Sequence, residues 1–259
     1  MKLFLNFIEY RELLYNLAIK EIKVRYKSAL LGFIWALLVP VSIMFVFLII
    51  FSMLFKIKEL TPVYLLAALF PWIFLSMSLS GAATCIVENS NIIKKVFFPR
   101  ELLPVSIVLA NFFNFVLSIA LLIVISIISK NNINATLLFL PIVMIMQALF
   151  VSGITLIFSA LFVYFRDIKY FVEILLTIWF YLTPIFYDQK LIRNFSEKAF
   201  TIFLLNPMTG LIVMYRDILI NGILSSSVLI SFTFFLCVLT FVIGLILNKK
   251  LSPYFADYV

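Results

Sequence analysis

Leu102–Ser129 reads LLPVSIVLANFFNFVLSIALLIVISIIS, a run without a single charged residue. Apolar and polar residues do not alternate along it, so it lacks the pattern of a membrane β-barrel strand. A helix of about 20 residues crosses a hydrocarbon core of roughly 30 Å, so this run is long enough to span as a helix with some tilt. Ser28–Phe55 and Leu60–Val87 have the same character. Further along, Asn131–Phe165, Ile168–Tyr187 and Ile218–Asn248 supply a fourth, fifth and sixth span. The expected fold is an all-α integral membrane protein with six transmembrane helices.

Composition agrees with that reading. Of 259 residues, 65% are hydrophobic and 12% charged, whereas a soluble domain is about half apolar and about a quarter charged. So apolar a chain needs lipid to cover it, and lipid demands a backbone that satisfies its own hydrogen bonds. A charged stretch precedes the first apolar run, which is also too long for a signal-peptide core, so no cleavable leader is expected. Cys85 and Cys237 lack C-x-x-C spacing and read as packing residues. The absence of histidine removes imidazole bases and the usual zinc and haem ligands.

The segment Ala199–Tyr215 is uncharged, but Asn206-Pro207 and Gly210 break it into pieces too short to cross. A re-entrant or interfacial hairpin between spans five and six fits it better than a seventh span. Charge placement agrees. With six spans, one side carries Lys2, Arg11, Lys20, Lys23, Arg25, Lys27, Lys94, Lys95, Arg100, Arg166, Lys169, Lys249 and Lys250, most of the 20 basic residues. The positive-inside rule then places both termini in the cytoplasm. The net charge of +8 follows from this orientation and from anionic inner-leaflet lipid, so it calls for no nucleic acid partner. The expected organisation is a single permease domain over 1–259, with a cytoplasmic amphipathic helix over 1–28, a six-span bundle over 29–248 and a cytoplasmic tail over 249–259.

Before the first span, Ile8, Tyr15, Ile19, Ile22 and Tyr26 share one helical face, and Glu9, Glu12, Asn16, Lys20, Lys23 and Lys27 share another. Such a helix lies in the cytoplasmic interface, either as a passive anchor or as a moving, partner-contacting element. Between spans two and three, ENSNIIKKVFFPRELLP (Glu88–Pro104) predicts a short helix stopped at Pro99. There Lys94, Lys95, Arg100 and Glu101 flank Phe97 and Phe98, which suits either a knob for a groove on another protein or an interfacial loop. In the fifth span Tyr170, Glu173, Thr177, Tyr181, Pro184 and Asp188 recur every three or four residues. That stripe either lines a conduit or bonds to neighbouring helices. Asn111, Asn114 and Ser118, like Ser152, Thr155 and Ser159, are read as close helix packing. Trp35, Trp72 and Trp179 are available to stack on sugar rings, although lipid-facing and interfacial roles are commoner for aromatics.

Energy supply is constrained by what is missing. Only Glu173 provides an acidic group within a span, and it sits near one end, so coupling to an ion gradient has little to work with. None of the six glycines opens a phosphate-binding loop of the form G-x-x-x-x-G-K-[ST], so ATP would have to be handled by another subunit. Two rival readings are an ion-coupled lipid or glycan flippase and a membrane-embedded transferase. The latter lacks both a histidine base and paired carboxylates.

RYKSALLGFIWALLVP (Arg25–Pro40) resembles the run-in to the first span of permeases of polysaccharide-exporting ABC transporters. NSNIIKKVFFPRELLP (Asn89–Pro104) resembles that family's loop between spans two and three. FRDI (Phe165–Ile168) resembles its turn before span five, Asn206-Pro207 its outer segment, and FADYV (Phe255–Val259) its tail. Wzm-like O-antigen permeases are the nearest match, with teichoic acid and capsule permeases close by. The resemblance implies a homodimer in the bacterial inner membrane, with two separate nucleotide-binding ATPase subunits that hold ATP and magnesium. It implies export of an undecaprenyl-diphosphate-linked polysaccharide through a channel between the protomers. It implies that Glu88, Ile92, Lys94, Lys95, Phe97, Phe98, Arg100 and Glu101 belong to the ATPase-coupling element. Tyr15, Ile19, Arg25 and Tyr26 then belong to the interface helix, and Leu31-Gly32 to the bend that follows it. Spans one and five are implied to line the channel, through Trp35, Ser42, Glu173, Thr177, Tyr181 and Pro184. Asn206 and Pro207 are implied to gate the exit.

Overall fold

The computed structural model describes residues 9–27, 34–50, 61–96, 98–129, 134–187 and 202–258, and no strand occurs among them. Ten α-helices are named here: α1 (Arg11–Tyr26), α2 (Ile34–Ile49), α3 (Pro62–Glu88), α4 (Ser90–Ile93), α5 (Leu102–Ile128), α6 (Leu140–Tyr164), α7 (Ile168–Leu182), α8 (Pro207–Arg216), α9 (Ser227–Leu251) and α10 (Phe255–Tyr258). A short 3-10 turn, Ala135–Phe139, leads into α6. Four helical stretches of the described residues are long and apolar enough to cross a membrane: Pro62–Glu88, Leu102–Ile128, Ala135–Tyr164 and Ser227–Tyr254. The chain is a multi-pass membrane protein.

Helix α3 is the centre of the bundle and packs against α2, α5, α6, α7 and α8. Its start is set chemically: the Thr61 hydroxyl accepts from the Tyr64 N–H at 3.2 Å, and Pro62 occupies a position where a missing donor is harmless. Pro71 interrupts its interior hydrogen bonding. At that level the Gln147 amide, fully buried on α6, donates to the Pro71 carbonyl at 2.7 Å and accepts from the Tyr215 hydroxyl of α8 at 2.8 Å. One side chain thereby fastens three helices where water is absent, and satisfied polar groups of this kind hold register in lipid.

Helices α6 and α9 form the closest pair, and glycine is the reason. A Cβ built on Gly153 would lie 2.5 Å from the Phe241 backbone N, and one on Gly244 would strike the Gly153 carbonyl. The two backbones therefore touch, as small residues allow between membrane helices. Ser152, Thr155 and Ser159 are buried beside this crossing, and the Thr155 and Ser159 hydroxyls donate back to carbonyls of their own helix.

Two element boundaries and the buried face of one helix differ from the sequence expectation. The last long apolar helix starts at Ser227, not at the expected Ile218, because Asp217–Asn221 continues α8 as a π-turn and the chain then reverses at Gly222 (φ 65°, ψ 27°). The run stays uncharged through that left-handed turn, so hydropathy alone does not register it. Helix α7 stops at Leu182, with Thr183 extended ahead of Pro184, as expected for a residue preceding proline. The N-terminal helix is rotated: Leu17 and Ala18 are buried and Tyr10, Leu13 and Leu14 pack beside them, whereas Tyr15 is 66% exposed. Leu13, Leu14 and Leu17 lie to one side of the expected stripe and widen the apolar surface, and packing against α5 selects that leucine face. Tyr26 is in α1, but its side chain lies outside the described residues, as do Ile8, Leu31 and Gly32.

Candidate functional site

Two groups of residues at opposite ends of the bundle bring the expected site residues together. At the basic end, Glu88 closes α3, α4 follows, and the chain enters α5 after Pro99 and Arg100. Glu88, Ile92, Lys94 and Lys95 are exposed, and so is Val96, which the sequence reading left out. Phe98 is not a protruding knob. It is 7% exposed and packs in a cluster with Ile93, Leu102, Leu103 and Phe255. Glu101 is buried as well. Composition shows that a loop is apolar without showing which side of it is inside, and here the buried side is the one that carries Phe98. Phe97 lies outside the described residues.

Helix α1 reaches the same end. Lys20 Nζ donates to Asn89 Oδ1 at 3.2 Å, and the Arg25 guanidinium donates to Asn111 Oδ1 on α5. Asn111, expected only as a packing residue, thus meets a charge from α1. Arg25 is half-buried and Ile19 likewise. A narrow cleft between α3 and α5, lined by Phe70, Phe74, Asn111, Asn114 and Ser118, adjoins this contact.

At the far end the arrangement centres on α8. Asn206 caps the helix, its Oδ1 accepting from the Met208 N–H at 3.0 Å. The same oxygen accepts from Trp179 Nε1 at 3.0 Å, and Asn206 Nδ2 donates to Thr183 Oγ1 at 3.0 Å. Pro207 begins the helix. From Met208 to Arg216 every residue is buried, so this ten-residue helix lies inside the bundle without crossing it. At its other end Arg216, 7% exposed, donates to the Pro184 and Ile185 carbonyls at 2.7 and 2.8 Å and to the Tyr64 carbonyl at 3.4 Å. Its guanidinium also sits 3.6 Å from the centre of the Tyr64 ring. Arg216 is not among the residues for which the sequence suggested a role. Its signal was a basic residue in an apolar helix ten residues after a capping Asn-Pro, where solvation has to come from protein.

The polar stripe of α7 divides. Tyr170, Glu173, Thr177 and Tyr181 are exposed along one side, and only Val172 and Leu176 of the helix are buried. Pro184 leaves the stripe: it is buried, and its carbonyl is held by Arg216. The helix ends before Pro184, so the three- and four-residue spacing no longer describes where that side chain points. Asp188 lies outside the described residues. Trp72 and Trp179 are packed edge to face, with ring centres 6.2 Å apart. On α2, Trp35 and Ser42 are exposed, Met44 is the one described side chain buried in the core, and Phe47 meets Phe186 at 4.0 Å beyond α7. Among the described residues, one side of the chain therefore presents two helices, α2 and α7, with little covering either.

The chain is similar to known proteins over most of its length. The chain is 35% identical to an O-antigen export system permease protein RfbA of Myxococcus xanthus over 211 residues, 81% of each chain. It is 32% identical to an O-antigen export system permease protein RfbA of Klebsiella pneumoniae over 248 residues, covering 95% of this chain and 94% of the relative. A second Klebsiella pneumoniae protein of that name is 31% identical over the same length. Residues 12–220, from the start of α1 to the π-turn that ends α8, match a family described as ABC-2 type transporter, and the chain belongs to that family.

Proposed function

We propose that this chain is the membrane-spanning subunit of an ABC exporter that moves an undecaprenyl-diphosphate-linked polysaccharide, O antigen or a close chemical relative, out of the cytoplasm. The likeness to O-antigen export permeases, reaching 95% of the chain, is the observation that carries the reading. Six spans are proposed: the four long ones, together with α2 and α7. At 1.5 Å per residue α2 and α7 extend only about 22–24 Å, but the apolar sequence continues beyond each of them. An even number of spans puts both termini on one side, and Lys20, Lys94, Lys95, Arg100, Arg166, Lys249 and Lys250 make that side the cytoplasmic face of the inner membrane.

The exposed faces of α2 and α7 support a homodimer. Glu173, Thr177 and Tyr181 are costly against lipid, and a second copy facing them would enclose a wet path lined also by Trp35 and Ser42. A polymer with hydroxyl-rich sugars needs polar and aromatic walls of this kind to pass a bilayer. The chain itself is the non-catalytic part, and two nucleotide-binding subunits with ATP and magnesium supply the work. Their contact is the exposed side of the loop after α3, through Glu88, Ile92, Lys94, Lys95 and Val96, with Arg100 behind it. Helix α1 adjoins this loop, and Asn206 and Pro207 set the outer end of the path.

The loop assignment is testable by coexpression with the ATPase subunit. Ile92→Asp combined with Val96→Asp replaces exposed apolar contacts with charge and should reduce ATPase copurification at least about tenfold, a change of about 1.4 kcal/mol or more. Membrane insertion and the amount of this chain should stay unchanged. Undiminished copurification would remove the docking assignment.

A further inference from the structure

The C-terminal residues form a structure of their own at the basic end. After α9 the chain makes a 3-10 turn, Ser252–Tyr254, and the short helix α10. Phe255 is fully buried, in the same cluster as Ile93 and Phe98 of the loop, Leu17 of α1 and Ala160 and Val163 of α6. Its ring also meets that of Tyr164 at 6.3 Å. The backbone of the segment is held from two directions. From the loop side, the Arg100 guanidinium donates to the Ser252 carbonyl. From the end of α6 the Tyr164 hydroxyl donates to the Leu251 carbonyl, and from the turn that follows Arg166 Nη2 donates to the Tyr258 carbonyl, both at 3.1 Å. The Tyr164 and Tyr258 rings meet at 4.8 Å, tilted by 53° to each other.

Carbonyls at a helix C-terminus lack partners within the helix and favour cationic donors. Solvent or lysine headgroups would satisfy them equally well. Here the donors come instead from the two connections that flank the proposed transport machinery: the loop that meets the ATPase and the turn that begins α7. We propose that the segment Ser252–Tyr258 is a mechanical linkage that carries displacement of the ATPase-contacting loop to the start of α7. The proposal rests on the ATP-driven reading above and adds a route to it. Phe255 and the Arg100 contact fix one end of the linkage to the loop, and Arg166 fixes the other to α7. A push on the loop then moves α7, which carries the exposed Glu173, Thr177 and Tyr181, as one body with the tail. Arg166 and Phe255 are positioning residues here, because neither touches substrate or nucleotide.

The test is the ratio of polysaccharide exported to ATP hydrolysed, measured on the complete complex in vesicles. Arg166→Gln and Phe255→Ala are expected to leave copurification and ATP turnover within about twofold while export per ATP falls about fivefold or more, the range of coupling changes along such networks. Arg166→Lys should recover part of the ratio. Arg166 is exposed, so its variant assembles even if Phe255→Ala does not, and it decides the matter. An unchanged ratio in Arg166→Gln overturns the linkage, and so does a proportional loss of complex, hydrolysis and export, which would make the tail a stability element only. Measuring Ile92→Asp/Val96→Asp alongside separates the two readings. If that variant keeps the ATPase bound, the docking assignment fails. If it releases the ATPase while Arg166→Gln stays fully coupled, the linkage alone fails.

Discussion

Gly153→Leu is expected to yield a protein that enters the membrane but does not close its bundle. The Cβ alone would come within 2.5 Å of the Phe241 backbone, and backbone cannot swing aside as a side chain can. Helices α6 and α9 would have to part along the crossing that Gly244 shares, opening the packing around Leu156, Phe241 and Leu245. Overpacking in a core typically costs about 1–3 kcal/mol when neighbours can yield, and this site offers less relief than that. Even Gly153→Ala should therefore lower the unfolding temperature in detergent measurably, whereas Gly153→Leu should appear as aggregated or protease-sensitive material. A monodisperse Gly153→Leu protein with unchanged unfolding temperature would contradict the backbone contact.

Replacing Arg216 by methionine is expected to have the second-largest effect, and it acts on the far end. The guanidinium satisfies the Pro184 and Ile185 carbonyls, which lie past the end of α7 where no helix ladder serves them, and adds a bond to the Tyr64 carbonyl of α3. Leaving a buried acceptor unmatched costs about 1–3 kcal/mol, so the variant should lose roughly that much stability, more if several carbonyls stay dry. Arg216→Lys keeps the charge but not the planar fork that reaches two adjacent carbonyls, and should fall between the two. Because Arg216 and Asn206 grip the end of α7 from opposite ends of α8, Arg216→Met should also reduce export at temperatures where the protein stays folded. Thermal unfolding and vesicle export, measured together, check both parts. Unaltered stability would show that the carbonyls find other donors.

These two residues also mark where sequence reasoning stopped. The long apolar runs were legible because lipid imposes length and excludes charge, and Leu102–Ile128 emerges as a helix within a residue of its uncharged run. Asn206-Pro207 was legible as a break because proline and a capping residue act locally. What Arg216 does was not legible, since its partners lie 31, 32 and 152 positions away along the chain. The burial of Phe98 was not legible for a related reason. A phenylalanine between charges suits a protruding knob or a plug equally, and Phe255, its partner in the core, is supplied by the far end of the chain. Pro184 failed because a helical spacing was extended past the end of its helix, and Ile218 because an uncharged run conceals a turn that Gly222 makes. In each case a local pattern was read correctly as far as the local physics held.

The division of labour between this chain and its motor is tested most directly in sealed vesicles holding the chain with its ATPase subunit and a lipid-linked polysaccharide. Export that requires ATP and the ATPase subunit, and that persists when an ionophore collapses ion gradients, is the predicted result. Export sustained by a proton or sodium gradient without nucleotide would contradict the account.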